Sequence, residues 1–139
     1  MKVELSKIVD AIEMAGDAFE GYYDFENGDC VWLSDPLYSG ETDEELAALI
    51  ENSTGRFLRL PSTYDIHKYN IMENFIETLP AGSEQNRLAR AIRGKGAFRR
   101  FKDEIIRLGI VEQWYKYQAD AYRELATRWC RDNELEWTE

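Results

Sequence analysis

Histidine is nearly missing from this chain: His67 is the only one in 139 residues. That scarcity excludes His-rich metal sites and the zinc-hydrolase helix with two histidines four residues apart. Cysteine is almost as scarce. Cys30 and Cys130 lie a hundred positions apart and neither belongs to a C-x-x-C pair, so the sequence reads as two buried thiols, with no disulfide framework, zinc site or redox site. Nowhere do apolar residues run to the ~18–20 needed to span a bilayer. The opening Met1-Lys2-Val3-Glu4-Leu5 lacks the pattern of a signal peptide, and a cytoplasmic location is expected. Glycine-rich phosphate loops are missing too. Gly94-Lys95-Gly96 has neither the Gly-x-x-x-x-Gly-Lys-Ser/Thr spacing nor the strand that precedes a dinucleotide fingerprint. No Gly-x-Ser-x-Gly element, internal repeat or low-complexity linker is present.

What the chain does contain is a core and an excess of acid. Hydrophobic residues make up 44% and aromatics 13%, enough to pack an interior, so global disorder is excluded. The length predicts a single domain over residues 1–139. The formal charge is −10. Such a chain repels nucleic acid and anionic membrane at long range, so contact with either needs a local exception; no membrane association is expected.

Periodicity predicts an α+β fold. A first helix over residues 6–15 carries Leu5, Ile8, Val9 and Ile12 at helical spacing, with Ser6 as N-cap. Asn27-Gly28 marks a hairpin with a two-residue type I′ turn, placing Phe25 opposite Cys30 and Tyr23 opposite Trp32. Residues 34–55 are acidic and broken by Pro36 and Gly40; Thr42 and Asp43 precede a short helix over 44–51. Residues 56–60 alternate and end at Pro61, predicting a third strand that completes a small antiparallel sheet. Ser62-Thr63-Tyr64-Asp65 resembles a capping motif. The helix it opens carries Ile66, Tyr69, Met72, Ile76 and Leu79 and stops at Pro80.

The last sixty residues read as helical. Ser83 caps a short helix with Leu88 and Ile92, and Gly94-Lys95-Gly96 ends it. The next helix places Phe98, Phe101, Ile105 and Leu108 inward, with Gly109 as a left-handed C-cap and Ile110 as its apolar contact. A long helix over 111–131 presents Trp114, Gln118, Ala121, Leu125 and Trp129, beside a second stripe of Tyr115, Tyr122, Ala126 and Cys130.

Charge along the chain is uneven. Residues 1–86 carry a net −13, residues 87–107 a net +6, and residues 108–139 a net −3. Part of the basic island is ordinary. Arg90 and Arg93 sit in the last turn of a helix, where cations are favoured by ~0.3–1 kcal/mol. Asp103 stands four residues before Arg107, and Arg99 and Arg100 are within reach of Asp103 and Glu104. Arg99 and Arg100 break a rule, however, because the first turn of a helix favours acids. With Lys95, Gly96 and Lys102 they make a candidate anion site at the unpaired N–H groups of that helix.

Three functional readings follow. The first is a non-enzymatic binding or regulatory module that takes an anionic ligand or a nucleic-acid backbone through Lys95, Gly96, Arg99, Arg100 and Lys102. The second is a structural or self-associating protein, a homo-oligomer among the options, whose basic element docks on its own acidic surface. The third is a hydrolase-type enzyme using His67 with nearby carboxylates. No cofactor, metal or catalytic residue is read from the sequence. Two short helices around a glycine turn also look like a DNA-reading helix-turn-helix, although Phe98, Phe101 and Ile105 leave it a narrow polar face.

The block Ala91-Ile92-Arg93-Gly94-Lys95-Gly96-Ala97-Phe98-Arg99-Arg100-Phe101-Lys102-Asp103 resembles the signature of a bacterial family, uncharacterised protein family 0158 of the UPF series. Leu60-Pro61-Ser62, Asp65-Ile66-His67, Ile71-Met72-Glu73, Trp114-Tyr115 and Trp129-Cys130 resemble its other blocks, and the resemblance covers nearly the whole chain. It implies a stand-alone bacterial cytoplasmic protein and transfers no activity, cofactor or site residue.

Overall fold

In the computed structural model, which describes residues 2–34 and 43–139, the two chain ends meet in a pair of strands that no periodicity announced. β1 (Lys2–Glu4) runs parallel to β5 (Glu136–Thr138), with Val3 opposite Trp137. Three-residue strands are too short to show alternation, and only tertiary contact creates them. β1 passes directly into α1 (Leu5–Met14), so Ser6 lies inside the first turn and is not the N-cap; Glu4 holds that position without a side-chain bond.

β2 (Phe19–Asp24) and β3 (Asp29–Ser34) form the expected hairpin, and β4 (Phe57–Arg59) adds to the other side of β2, giving the antiparallel order β3-β2-β4. The register differs from the predicted one. Tyr23 faces Cys30 and Gly21 faces Trp32, so four residues, 25–28, form the turn. Only Gly28 of these has positive φ, at 70°, where a type I′ turn would need two such residues. Asp24 is the cause: its carboxylate accepts the Glu26 N–H and the Asn27 amide at 3.0 Å each, while its carbonyl accepts the Gly28 N–H at 2.8 Å. Arg56 then binds both Asp24 oxygens at 2.9 and 3.1 Å, closing the turn from β4's side. A two-residue slip preserves side-chain parity, so Tyr23, Cys30 and Trp32 still share one face.

α2 (Glu44–Asn52) is capped by Asp43, whose side chain accepts the Leu46 N–H at 3.1 Å; Pro36, Gly40 and Thr42 lie outside the described residues. The single helix predicted from Ser62 to Pro80 is two: α3 (Thr63–Ile66) and α4 (Lys68–Glu77). His67 separates them in the left-handed region at φ 50°. The capping motif is real despite its short acid. Asp65 accepts from the Ser62 N–H and hydroxyl at 2.9 Å each, and the Asp65 N–H returns to the Ser62 hydroxyl at 3.3 Å.

α5 (Ser83–Ala91), α6 (Ala97–Leu108) and α7 (Val111–Asp132) make the C-terminal half helical, as expected. Gly82, not Ser83, is the N-cap of α5. Phe98 and Tyr115, expected to point inward, are 53% and 51% exposed. The chain packs as two compact units, residues 1–66 with 122–139, and residues 67–121. Ile8, Ile12, Tyr23, Leu60, Ala126 and Cys130 are buried in the first. There the Trp129 indole N–H donates to the Arg59 carbonyl at 2.9 Å, and its ring meets Tyr23 edge-on at 6.5 Å. Cys30 is half-buried, and burial pushes its thiol up to about 11, so it stays protonated; Cys130 is buried and also free. Met72, Phe75, Leu88, Phe101, Ile105 and Trp114 are buried in the second unit. No described helix is long and apolar enough to cross a membrane.

Candidate anion-binding site

The basic island spans the end of α5, the Gly94-Lys95-Gly96 turn and α6. An α-helix leaves its last carbonyls without partners. At the end of α5 they find side chains. The Arg100 Nε–H donates to the Ala91 carbonyl at 2.7 Å, one Nη to the Arg93 carbonyl at 2.5 Å, and the other Nη to the Lys95 carbonyl. Tyr69 adds its hydroxyl to the Ile92 carbonyl at 2.8 Å. The planar fork of a guanidinium suits three convergent carbonyls, and a lysine ammonium lacks that geometry.

Gly96 completes the arrangement. Its φ is 77°, and a Cβ placed there would lie 2.9 Å from an Arg100 Nη. Backbone handedness and the position of Arg100 therefore both call for glycine. α6 starts at Gly96 without a side-chain cap, which leaves the first N–H groups of the helix open. Behind it, Phe101 meets Trp114 edge-on at 4.8 Å, and Phe75 meets Trp114 at 5.3 Å. These rings fix α6 against its own unit.

The remaining charges divide clearly. Glu104 takes Arg87 at 3.1 Å and Arg107 at 3.0 Å, whereas the sequence spacing offers Asp103 to Arg107. Hydrogen bonding from Arg107, helped by the field of Arg87, holds the Glu104 carboxyl below its ordinary range. Neither Arg99 nor Arg100 reaches an acid. Arg90, Arg93, Lys95, Arg99 and Lys102 are left without an ion-pair partner among the described residues, and all five are exposed; Lys95, Arg99 and Lys102 belong to the turn and α6. Arg99 and Lys102 stand three residues apart on one side of α6, and Lys95 lies in the turn that precedes it.

The model of the uncharacterised protein family UPF0158 matches residues 1–139. The chain belongs to UPF0158. A curated UPF0158 protein of Pseudomonas aeruginosa is 25% identical over 137 residues, covering 98% of this chain and 86% of that relative. No solved structure matches.

Residues 91–103, the stretch that resembles the family's signature, form the turn held by Arg100 together with the first half of α6. Leu60-Pro61-Ser62 with Asp65-Ile66-His67 forms the cap of α3 and its left-handed exit. His67 is exposed and sits at a junction between helices, and its carbonyl accepts the Asn70 N–H at 2.9 Å. Among the described residues, no group of three or more His, Cys, Asp or Glu is arranged to hold a metal ion. Sequence reasoning missed two things here. Arg100's carbonyl partners have no spacing signature, and Phe98 with Ile106 stands on the outer side of α6.

Proposed function

We propose that this UPF0158 protein is a non-enzymatic binding module that engages an anionic partner through the Gly94–Gly96 turn and α6. The observation that carries the reading is the set Lys95, Arg99 and Lys102: three exposed cations, unpaired among the described residues, in a chain with ten more acids than bases. Gly96 and Arg100 supply the frame. Arg100 holds the turn through three carbonyls and adds its charge, while Lys95, Arg99, Lys102 and the uncapped N–H groups of α6 make the contacts. Arg99 in a first helical turn is unfavourable until an anion sits there.

The test is a titration of the protein with single- and double-stranded oligonucleotides, polyphosphate and acidic polypeptide across a salt series. Binding is expected at low salt and weakens steeply as salt rises, since exposed charges are screened over ~8 Å at physiological ionic strength. Arg99→Ala with Lys102→Ala abolishes it. The reading fails if no polyanion binds at low salt, or if binding survives that double substitution unchanged.

A further inference from the structure

α6 has a second outward feature that anion binding does not use. Its inner side is Ala97, Phe101 and Ile105, all buried. On the outer side Phe98 is 53% exposed and Ile106 61% exposed, two turns apart, with Lys102 midway between them and Arg99 alongside. Positions 98, 102 and 106 repeat every four residues and so line one stripe. An aliphatic side chain gains nothing from a phosphate. Large apolar groups bracketing a cation form a surface for another protein, where a desolvated centre supplies the attraction and charge sets the register.

A complementary surface exists in the same sequence. No residue of α2 is buried: Leu46 and Ile50 are half-buried and Leu49 is 40% exposed. These three fall at i, i+3 and i+4 on one stripe, with Asp43 at one margin and Glu45 at the other. Neither acid has a cation partner among the described residues. One helix thus offers an apolar stripe edged by bases and the other an apolar stripe edged by acids.

We infer that the Phe98–Arg99–Lys102–Ile106 face docks on the α2 stripe of a second copy of this chain. The inference rests on the anionic-partner reading and names the partner: Asp43 and Glu45 supply the carboxylates, and Leu46, Leu49 and Ile50 supply the apolar surface. Each copy carries both the basic and the acidic face.

The experiment measures the mass of the full chain by sedimentation over a range of protein and salt concentrations. Association is expected at low salt and weakens as salt rises. Phe98→Ser with Ile106→Ser weakens it more than about tenfold. Lys102→Glu alone and Glu45→Lys alone are each monomeric, and mixing those two variants restores association, because each brings the charge the other now lacks. All four substituted side chains are exposed, and circular dichroism verifies that each variant is folded. A wild-type chain that stays monomeric throughout, an association indifferent to these variants, or a mixture that fails to recover overturns the docking. The same Phe98→Ser/Ile106→Ser protein still binds polyphosphate if the basic turn is an anion site. Retained polyphosphate binding by a monomeric wild type therefore sinks the docking alone, while loss of both sinks both readings.

Discussion

Arg100 donates its Nε–H to the carbonyl of Ala91, nine residues earlier, at 2.7 Å. That contact ties the start of α6 to the end of α5 and fixes the shape of the turn between them. A residue that looks like free charge in sequence is also the clasp of the element that presents the free charge. Lys95 and Arg99 are its immediate beneficiaries, because they flank the backbone that Arg100 holds.

The clasp predicts that Arg100→Lys, which conserves charge, lowers stability by ~1–2 kcal/mol through lost hydrogen bonds and weakens polyanion binding. Gly96→Ala is expected to cost a similar ~1–2 kcal/mol, since alanine resists the left-handed region and displaces the guanidinium. Thermal melts and the polyphosphate titration measure both effects. If Arg100→Lys melts and binds like wild type, Arg100 is not the clasp.

Asp24 predicts a pH dependence. It is 2% exposed, and its carboxyl is held below the ordinary 3.8, first by hydrogen bonding from Arg56 and then by the Glu26 and Asn27 donors. A group whose folded pKa is depressed stabilises the fold fully above its unfolded value and loses that contribution as pH falls through the folded one. Stability attributable to Asp24 is therefore complete above about pH 4 and disappears below it. Asp24→Asn is expected to lower stability at pH 7 by roughly 2–3 kcal/mol and to flatten the fall in melting temperature below about pH 4. A variant whose acid transition matches wild type would remove Asp24 from the account.

Glu134 predicts a gain. α7 ends as α6 does, with a left-handed residue and two closing bonds: Leu135 N–H to the Cys130 carbonyl at 2.8 Å, and Glu134 N–H to the Arg131 carbonyl at 3.0 Å. α6 uses Gly109 for this, at φ 71°, and α7 uses Glu134, at φ 57°. Glu134→Gly should relieve ~1 kcal/mol of steric cost and raise the melting temperature by about 3–5 °C. No rise means the glutamate is not strained there.

That pair of helix ends shows where sequence stops informing. Gly109 was legible because glycine after an apolar helical stripe has one common use; Glu134 was not, because nothing in a glutamate signals positive φ. The sequence alone determined the α+β class, the hairpin with a third strand, the Gly-Lys-Gly break and the basic island, since periodicity, turn chemistry and charge are local. Tertiary structure decided the rest. It paired residues 2–4 with 136–138, strands too short to carry a pattern. It set the hairpin register through Asp24 and Arg56, 32 positions apart. It split one apolar stripe into two helices at His67. It also turned Phe98 outward, because Ala97, Phe101 and Ile105 already cover the inner side of α6 and a helix buries one stripe at a time. Arg100's three carbonyls converge only once the turn has folded, so its double role is a property of the fold.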